Sequence, residues 1–588
     1  MSCKVILHGG WVCNQPGPQP RRRHEEIADG TRAQEARIEP LTPTSKVPAP
    51  RSPQPPADRG HAASVAEEVA RRRTFAIISH PDAGKTTLTE KLLLYAGAVH
   101  LAGAVRARKR QRHATSDWMA LEQERGISIT TTALQFEHAG RILNLLDTPG
   151  HQDFSEDTYR TLTAVDSAVM VLDSAKGIEP QTLKLFEVCR TRRVPILTFV
   201  NKLDHVGREP LDLLDEIERV LGIGAVPMNW PIGQGLDFQG VYDIAAQRVL
   251  RFERTERNER RAPVVGLRLD DARLVEEIGE APARAMRDDI ALLDTAGARF
   301  DRDAFLAGKV TPVFFGSALN SFGVEPFLAA LLELAPPPLA RRSDRGPIDP
   351  AGEAFSGFVF KIQANMDPQH RDCMAFVRIC SGRFRRDMVV HHARLDRTVR
   401  LTRPHRLFAR ERETVTEAFA GDVVGLVNPG LFAIGDTLSD GAPLRFDAVP
   451  RFEPECFATL HNRAAAKYKQ FHRGVAQLEQ EGAIQVLVAA EGAQRDLVLA
   501  AVGELQFDVV VARLAAEYGV QASAERLPFR IARWVVGAAA SIAQAYWPFA
   551  GVLHLRDRDD RRIVLFLSER DAAYCAEKNT DIELRRLG

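Results

Sequence analysis

Short apolar runs alternate with amphipathic segments through the first half of the chain. The apolar runs lie at residues 75–78, 142–146, 168–172, 195–200 and 313–315. The amphipathic segments lie at 86–94, 181–190 and 210–221. Strands buried on both faces have nearly continuous apolar sequences, and the helices that connect them are amphipathic. The pattern therefore predicts an α/β domain at 66–340, with a parallel sheet covered by helices on both faces.

The pattern changes after a proline-rich boundary at residues 336–350. Further runs at 355–362, 374–380 and 423–427 are typical of strands, and glycines mark the turns between them. They predict a β-barrel domain at 350–447. The next segment mixes strand patterns with a helix at 505–518. We therefore expect a small α+β domain with a C-terminal tail at 455–588.

The N-terminal segment has a different composition. Its first 60 residues hold 10 of the 34 prolines and show no sustained apolar period. Residues 1–65 are therefore predicted to be a disordered extension. The segment lacks the continuous apolar core of a secretory signal, and its acidic residues are not typical of a mitochondrial transit peptide.

Composition narrows the possible partners and compartments. The formal net charge is +1, so any contact with RNA must be local rather than carried by bulk charge. The seven cysteines form no Cys-x-x-Cys pair, which favours a reducing cytoplasm. Residues 534–555 are uncharged, but polar residues and Pro548 interrupt them. We interpret this stretch as buried core with a turn near Pro548, and we expect no membrane association.

A phosphate-binding loop is predicted between the first strand and the first helix. Backbone N–H groups and a helix N-terminus can surround phosphates there, Lys85 can neutralise them, and the Thr86 hydroxyl can bind Mg²⁺. The match departs from the usual pattern only at Ser79, which replaces the first glycine. The candidate residues are Ser79, His80, Pro81, Asp82, Ala83, Gly84, Lys85 and Thr86.

A second candidate segment follows the apolar run at 142–146. Open α/β sheets bind ligands at the carboxyl ends of their strands. Asp147 can hold Mg²⁺ through water there, and the Gly150 N–H can contact a γ-phosphate. The segment comprises Asp147, Thr148, Pro149, Gly150 and His151.

Base recognition is predicted after the run at 195–200. The Asp204 carboxylate can accept hydrogen bonds from N1–H and the 2-amino group of guanine, which adenine does not offer. Lys202 can lay its aliphatic stem along the base. The segment comprises Asn201, Lys202, Leu203 and Asp204. Gly316, Ser317 and Ala318 follow a further strand, and their N–H groups can reach guanine O6. Four such segments in this order predict a guanine-nucleotide-binding domain.

Between the first two segments lies a candidate switch. A hydroxyl is needed there to complete the Mg²⁺ site when a γ-phosphate is present. Ser128 is the first candidate and Thr130 the alternative. The basic run at 106–112 is interpreted either as a solvated switch loop or as a local RNA contact.

Longer motifs show a resemblance to a known family. The sequences RGISI at 125–129 and DTPGH at 147–151 resemble those of the translational GTPases. The segments at 117–119, 152–166, 230–233, 358–368 and 505–513 resemble the bacterial peptide chain release factor 3 family. We expect this resemblance to extend from about Val69 to Trp534 and to exclude the C-terminal tail after Trp534.

The resemblance implies an activity and its partners. It implies a ribosome-stimulated GTPase that converts GTP to GDP with Mg²⁺ and removes class I peptide chain release factors from the ribosome. It also implies that His151 orients the attacking water, with ribosomal RNA near the GTPase centre helping to place it. Lys85 is the second candidate catalytic residue. We expect a cytoplasmic protein that is monomeric away from the ribosome.

Other functions stay open at this point. A factor like elongation factor G, or a ribosome-protection factor, would carry two further domains after the third, and only about 55 residues follow Trp534. A non-ribosomal regulatory GTPase is disfavoured by the barrel motif at 361–368. A binding protein without catalysis is disfavoured by the presence of Lys85, Thr86, Asp147 and His151.

Overall fold

The fold is given by a computed structural model that describes residues 63–98, 128–252, 264–271, 273–297, 299–364, 373–408, 411–428, 430–449, 453–489, 497–548 and 551–586. The predicted extension at 1–65 lies almost wholly outside these residues, and so does the basic run at 106–112.

The helices are α1 Val65–Ala70, α2 Lys85–Tyr95, α3 Ser155–Leu162, α4 Pro180–Arg192, α5 Pro210–Leu221, α6 Arg273–Ile278, α7 Glu280–Ala296, α8 Arg302–Leu306, α9 Val324–Leu334, α10 Tyr468–Gln480, α11 Leu505–Tyr518, α12 Ala539–Gln544 and α13 Glu569–Lys578. Within the described ranges, none of the helices is both long enough and apolar enough to cross a bilayer.

The strands of the first half are β1 Arg72–Ser79, β2 Thr132–His138, β3 Arg141–Asp147, β4 Ser167–Asp173, β5 Ile196–Asn201, β6 Gly224–Pro227, β7 Asn229–Ile232, β8 Gly240–Asp243, β9 Arg248–Phe252, β10 Val264–Arg268 and β11 Val310–Phe315. Those of the middle region are β12 Arg341–Ser343, β13 Gly346–Ile348, β14 Ser356–Ala364, β15 Cys373–Ser381, β16 Arg383–Arg385, β17 Val389–His392, β18 Arg397–Arg400, β19 Pro404–Phe408, β20 Glu411–Thr414, β21 Glu417–Phe419, β22 Val423–Val427 and β23 Thr437–Ser439. The C-terminal strands are β24 Cys456–Asn462, β25 Gln485–Ala489, β26 Leu497–Ala501, β27 Ala522–Leu527, β28 Ile531–Gly537, β29 Val552–Arg556, β30 Arg562–Phe566 and β31 Ile582–Arg586.

The predicted α/β architecture is confirmed in the first half of the chain. The strand order there is β2-β3-β1-β4-β5-β11-β6, and only β2 is antiparallel to its neighbour. Strands β1, β4 and β5 are buried along their whole length. Two hydrophobic clusters cover the sheet, one on each face. Consequently the carboxyl ends of β1, β3, β5 and β11 meet at one edge of the sheet.

A small antiparallel sheet is inserted between β6 and β11. Its strand order is β10-β9-β8-β7, and α6 and α7 follow it in the chain. Trp230 joins the two parts, because it packs against Phe315 of β11 and donates from Nε1 to Asp289 of α7. The sequence pattern had indicated only a parallel sheet here, since these strands are four or five residues long.

The middle region is a curled antiparallel sheet, as expected for a barrel. Strand β14 pairs with β15 and β23, and β15 pairs with β22. This sheet continues into the α/β sheet through one pair, Phe408 with Leu134. Helix α1 is capped by Ser64, and Val65 and Val69 pack in the barrel cluster.

The C-terminal region forms one antiparallel sheet in the order β27-β24-β26-β25-β29-β30-β28-β31. Helices α10 and α11 pack on its first half, and α13 packs on its second. Residues 534–555 span part of β28, helix α12 and part of β29. The expectation that this stretch is buried core was wrong for its middle, because Val536 and Tyr546 are exposed.

Candidate nucleotide-binding site

The loop after β1 has the backbone of a phosphate-binding loop. Asp82 has φ of 65° and Gly84 has φ of 90°. A Cβ at Gly84 would lie 2.3 Å from Asn201 Nδ2. Glycine is therefore required for two reasons, its conformation and its close approach to the β5 loop.

This loop forms one wall of an open cavity of about 390 Å³ at the carboxyl edge of the sheet. The residues lining it are Ser79, His80, Pro81, Asp82, Gly84, Lys85, Thr86, Thr87, Ser128, Gly150, His151, Asn201, Lys202, Asp204, His205 and Leu319. Residues of the first three predicted segments thus line one cavity. The three residues of the fourth segment do not line it and are hydrogen-bonded to residues 201–204 instead: Gly316, Ser317 and Ala318. Three further lining residues lie outside the predicted segments: Thr87, His205 and Leu319.

Lys85 lines the cavity and is paired with Asp147, which does not line it. Lys85 Nζ donates to Asp147 Oδ1 at 2.9 Å, and both side chains are buried. Asp147 Oδ2 is also buried and has no hydrogen-bond partner within the described part of the chain. A buried carboxylate oxygen with free acceptor capacity suits a water ligand of Mg²⁺.

Thr148 and Pro149 fix the segment that follows Asp147. The Thr148 hydroxyl donates to Ile77 O at 2.7 Å, and Pro149 O accepts from the Thr158 hydroxyl at 3.1 Å. These bonds tie the segment to β1 on one side and to α3 on the other. Neither residue lines the cavity.

The base-recognition segments are connected through Asn201. Its Nδ2 donates to Ala83 O at 2.8 Å, and its Oδ1 accepts from Ala318 N at 2.8 Å. Asn201 therefore ties the phosphate loop to the loop after β11. Leu203 is buried beneath the site, and its N–H donates to Gly316 O at 3.3 Å.

Asp204 is oriented by the loop after β11. The Ser317 hydroxyl donates to Asp204 Oδ1 at 2.5 Å. The second oxygen, Oδ2, lies 3.3 Å from His205 Nε2. Lys202 has φ of 69°, and its Nζ lies 2.9 Å from Asp173 Oδ2. That ion pair holds the Lys202 stem at the cavity wall, with the exposed Leu319 also lining the cavity.

His151 lines the cavity next to Gly150. Its Nδ1 accepts from Asp153 N at 3.2 Å and lies 3.3 Å from Asp153 Oδ1. In the neutral ring this acceptor role leaves the hydrogen on Nε2. Asp153 Oδ2 accepts from Leu505 N, the first residue of α11, at 2.7 Å. The His151 ring is thus connected through one carboxylate to the C-terminal region.

The two switch candidates are separated by the fold. Ser128 lines the nucleotide cavity, whereas Thr130 lines a second, smaller cavity of about 50 Å³. The structure therefore places Ser128, and not Thr130, in the cavity that Thr86 also lines.

His80 has a buried ring at the base of the phosphate loop. Both of its ring nitrogens lack a hydrogen-bond partner in the described structure, and Nδ1 lies 3.5 Å from Glu179 Oε2. Burial lowers the pKa of His80, although the carboxylate of Glu179 opposes this effect. A neutral imidazole at this point adds no positive charge to the cavity.

The second cavity marks a junction of all three regions, which we call the three-domain junction and define by Asp157, Arg160, Lys361, Glu481 and Arg513. Lys361 Nζ donates to Thr131 O at 2.7 Å and to Asp157 Oδ2 at 3.2 Å. Arg160 donates to Gly482 O at 3.1 and 3.2 Å. Glu481 accepts two bonds from Arg513 at 2.7 and 3.0 Å and one from Ala364 N at 3.1 Å.

The fold and the cavity together define the class of protein, a translation-factor GTPase. The Elongation factor Tu GTP binding domain family matches residues 70–337, and the Elongation factor G domain 2 family matches residues 354–441. A solved structure from Thermus thermophilus is similar in fold, with a TM-score of 0.62, 23% identity, and coverage of 80% of this chain and 71% of that chain.

Further matches identify the family within that class. The family described as Class II release factor RF3, C-terminal domain, matches residues 446–576. Peptide chain release factor 3 of Gloeobacter violaceus is 55% identical over 524 residues, which cover 89% of this chain and 99% of the relative. That of Synechocystis sp. is 54% identical, with coverage of 88% and 95%.

The chain belongs to the peptide chain release factor 3 family. It is a GTPase that acts in translation termination, and it hydrolyses GTP. The expectation that the family resemblance stops at Trp534 was wrong, because the match of the C-terminal domain continues to residue 576. Trp534 lies inside β28, and the strands that follow it complete the same sheet.

Proposed function

We propose that the chain is a GTPase stimulated by the ribosome, and that it uses GTP to release class I peptide chain release factors from the ribosome. The carrying observation is the convergence of three predicted nucleotide-binding segments on one cavity, with the fourth hydrogen-bonded to Asn201 and Asp204 of its wall, and the connection of the cavity's His151 to the C-terminal region. A nucleotide at this position can therefore influence a distant part of the molecule.

Guanine recognition is assigned to the far end of the cavity. Asp204 accepts from N1–H and the 2-amino group of the base, and Ser317 holds the carboxylate in position. The N–H of Ala318 donates to Asn201 Oδ1. Ala318 therefore contributes by holding the loop after β11 in position. The stem of Lys202 and the side chain of Leu319 provide apolar contact with the base.

Phosphate binding is assigned to the loop from Ser79 to Thr86. This loop lines the cavity at the start of α2, where the helix dipole favours negative charge. Lys85 has three donors, so its ammonium can contact phosphate oxygens and Asp147 together.

Mg²⁺ would be held by the hydroxyls of Thr86 and Ser128 and, through water, by Asp147. These residues fit the ion, since Mg²⁺ prefers oxygen ligands and retains several waters. When bound, the ion neutralises charge on the phosphates of GTP. The chain contributes the hydroxyls of two residues that line the cavity and the unpaired Oδ2 of Asp147.

Hydrolysis requires a water molecule in line with the γ-phosphate. We assign its orientation to His151, which Asp153 holds through Nδ1. Ribosomal RNA near the GTPase centre completes this geometry, which makes turnover depend on the ribosome. The protein acts in the cytoplasm and is monomeric away from the ribosome.

Dissociation of a labelled class I release factor from ribosomes tests this proposal. With GTP the chain is expected to increase the dissociation rate by at least about tenfold over GDP, which corresponds to about 1.4 kcal/mol. Lys85→Ala should abolish the increase, because the phosphates lose their cation. Lys184→Ala, on the exposed face of α4, should preserve it. Equal rates with GTP and GDP would contradict the proposal.

A further inference from the structure

Helix α10 begins within a segment that carries no acidic residue. Between Glu455 and Glu479 the sequence contains no Asp or Glu. It does contain four Lys or Arg residues: Arg463, Lys467, Lys469 and Arg473. In a chain of net charge +1 this is a strong local concentration of positive charge.

Two of these exposed cations lie just before α10, and the other two lie on its exposed side. The opposite side of the helix is buried, with Phe471, Val475 and Leu478 in the hydrophobic cluster. A Cβ at Gly474 would lie 2.6 Å from Leu514, so α10 and α11 pack closely. The buried side therefore fixes which residues of α10 face solvent.

Lys469 and Arg473 are one helical turn apart, and both are exposed. Neither makes an ion pair within the described residues. Like charges at this spacing destabilise a helix, so the fold gains nothing from the pair.

Arg463 and Lys467 extend the same positive surface. Arg463 donates to the Ser523 hydroxyl at 2.8 Å, and Lys467 donates to Gly519 O at the end of α11. Both partners are uncharged, so the two side chains keep their full positive charge. Their hydrogen bonds hold them in fixed positions at the start of α10.

An exposed aromatic ring lies in the middle of these cations. Tyr468 is 63% exposed, and its ring centroid lies 4.1 Å from that of His472 on the next turn. The His472 ring also contacts Phe471 at 5.3 Å. Tyr468 is thus supported from one side, and its exposed surface is available for stacking.

We propose that Arg463, Lys467, Tyr468, Lys469 and Arg473, which we call the α10 surface, bind an exposed strand or loop of RNA. The cations would contact successive phosphates, and one base would stack on Tyr468. A partner that offers only negative charge would leave the tyrosine without a role. The identification of this RNA as ribosomal rests on the proposed function.

Fluorescence anisotropy of the full chain with a labelled single-stranded RNA of about 12 nucleotides tests the proposal. The double variant Lys469→Glu/Arg473→Glu should weaken binding by at least about tenfold and reduce the salt slope by about two. Tyr468→Ala should weaken binding by about fivefold to tenfold at an unchanged salt slope, and Tyr468→Phe should retain it.

Helix α13 provides the matched control. It exposes Tyr574 with Lys578 Nζ 5.5 Å from the ring, but Glu577 and Asp571 lie on the same helix. The variant Tyr574→Ala/Lys578→Glu should bind RNA like the unmodified chain. Equal losses in the α10 and α13 variants would overturn the proposal. So would unchanged RNA binding by the α10 variants, or preferential binding of polyglutamate over RNA.

Ribosome-stimulated GTP hydrolysis separates this proposal from the proposed function. The α10 charge variant should raise the ribosome concentration needed for half-maximal hydrolysis without changing the maximal rate. If the unmodified chain binds the RNA but is not stimulated by ribosomes, the proposed function is wrong and the RNA surface stands. If it is stimulated but does not bind the RNA, the α10 surface is wrong.

Discussion

The nucleotide cavity and the three-domain junction are built in opposite ways. The cavity is open and is lined by loop residues such as Asp82 and His205, whose polar groups face a ligand-sized space. The junction surrounds a cavity of only about 50 Å³, and its charged groups satisfy one another. Arg513 and Glu481, for example, are both buried and form two hydrogen bonds. Polar groups that bind a ligand are thus left accessible, whereas those that hold regions together are paired.

The two sites share one stretch of chain. Residues 150–162 run from the wall of the cavity through helix α3 into the junction. His151 faces the cavity, Asp153 contacts α11, and Asp157 is held by Lys361. Burial alone would raise the pKa of Asp157, but Lys361 and the Thr131 N–H hold it below its usual value. Asp157 is therefore a charged anchor at neutral pH.

The largest expected effect comes from breaking the junction. Arg513→Met leaves Glu481 as a buried charge without its cation, which should lower the free energy of unfolding by about 3–5 kcal/mol. Urea denaturation measures this change. GTP affinity should be unchanged, because Arg513 does not line the nucleotide cavity.

A surface ion pair supplies the control for that variant. Arg219 lies 3.7 Å from Asp215, and both side chains are mostly exposed. Arg219→Met should lower the free energy of unfolding by less than about 1 kcal/mol. If the Arg513 and Arg219 variants lose the same stability, the junction does not differ from the surface.

A smaller effect is expected from a change in the nucleotide cavity, and it should appear in GTP affinity rather than in the free energy of unfolding. Asp204→Asn removes the carboxylate that accepts two hydrogen bonds from guanine, which should weaken GTP binding by about 30-fold to 150-fold, or about 2–3 kcal/mol. Xanthine nucleotide should bind better, because its 2-oxo group can accept from the new amide. Titration with fluorescent nucleotides measures both affinities.

The exposed Asp212 on α5 offers a charge-matched comparison. Asp212→Asn removes the same charge away from the cavity, so GTP affinity should be unchanged. Full GTP affinity in the Asp204 variant would refute the proposed base contact. A loss of stability comparable to that of Arg513→Met would show that the cavity and the junction are not separate in function.

Local patterns were sufficient to predict the cavity but not the junction. The run 75–78 lies within β1, the predicted helices at 210–221 and 505–518 match the observed ones, and the loops between them carry motifs that are short in sequence. Each of these features depends on neighbours along the chain.

The junction has no such pattern, because Lys361, Glu481 and Arg513 come from distant segments. The sequence does not distinguish a buried lysine or arginine from an exposed one, and only the tertiary fold shows which residue it pairs with. The sheet β7–β10 was missed for a related reason, since four-residue strands give too few positions to show an alternation.

GTP hydrolysis with and without ribosomes carrying a class I release factor tests the central claim most directly. The unmodified chain should be stimulated strongly by these ribosomes. His151→Ala should bind GTP normally and lose about 10²-fold to 10⁴-fold of the stimulated rate, because the water is no longer oriented. His138→Ala, at the end of β2 outside the cavity, should behave like the unmodified chain. Turnover that does not respond to ribosomes, or a His151 variant with full stimulated activity, would contradict the account.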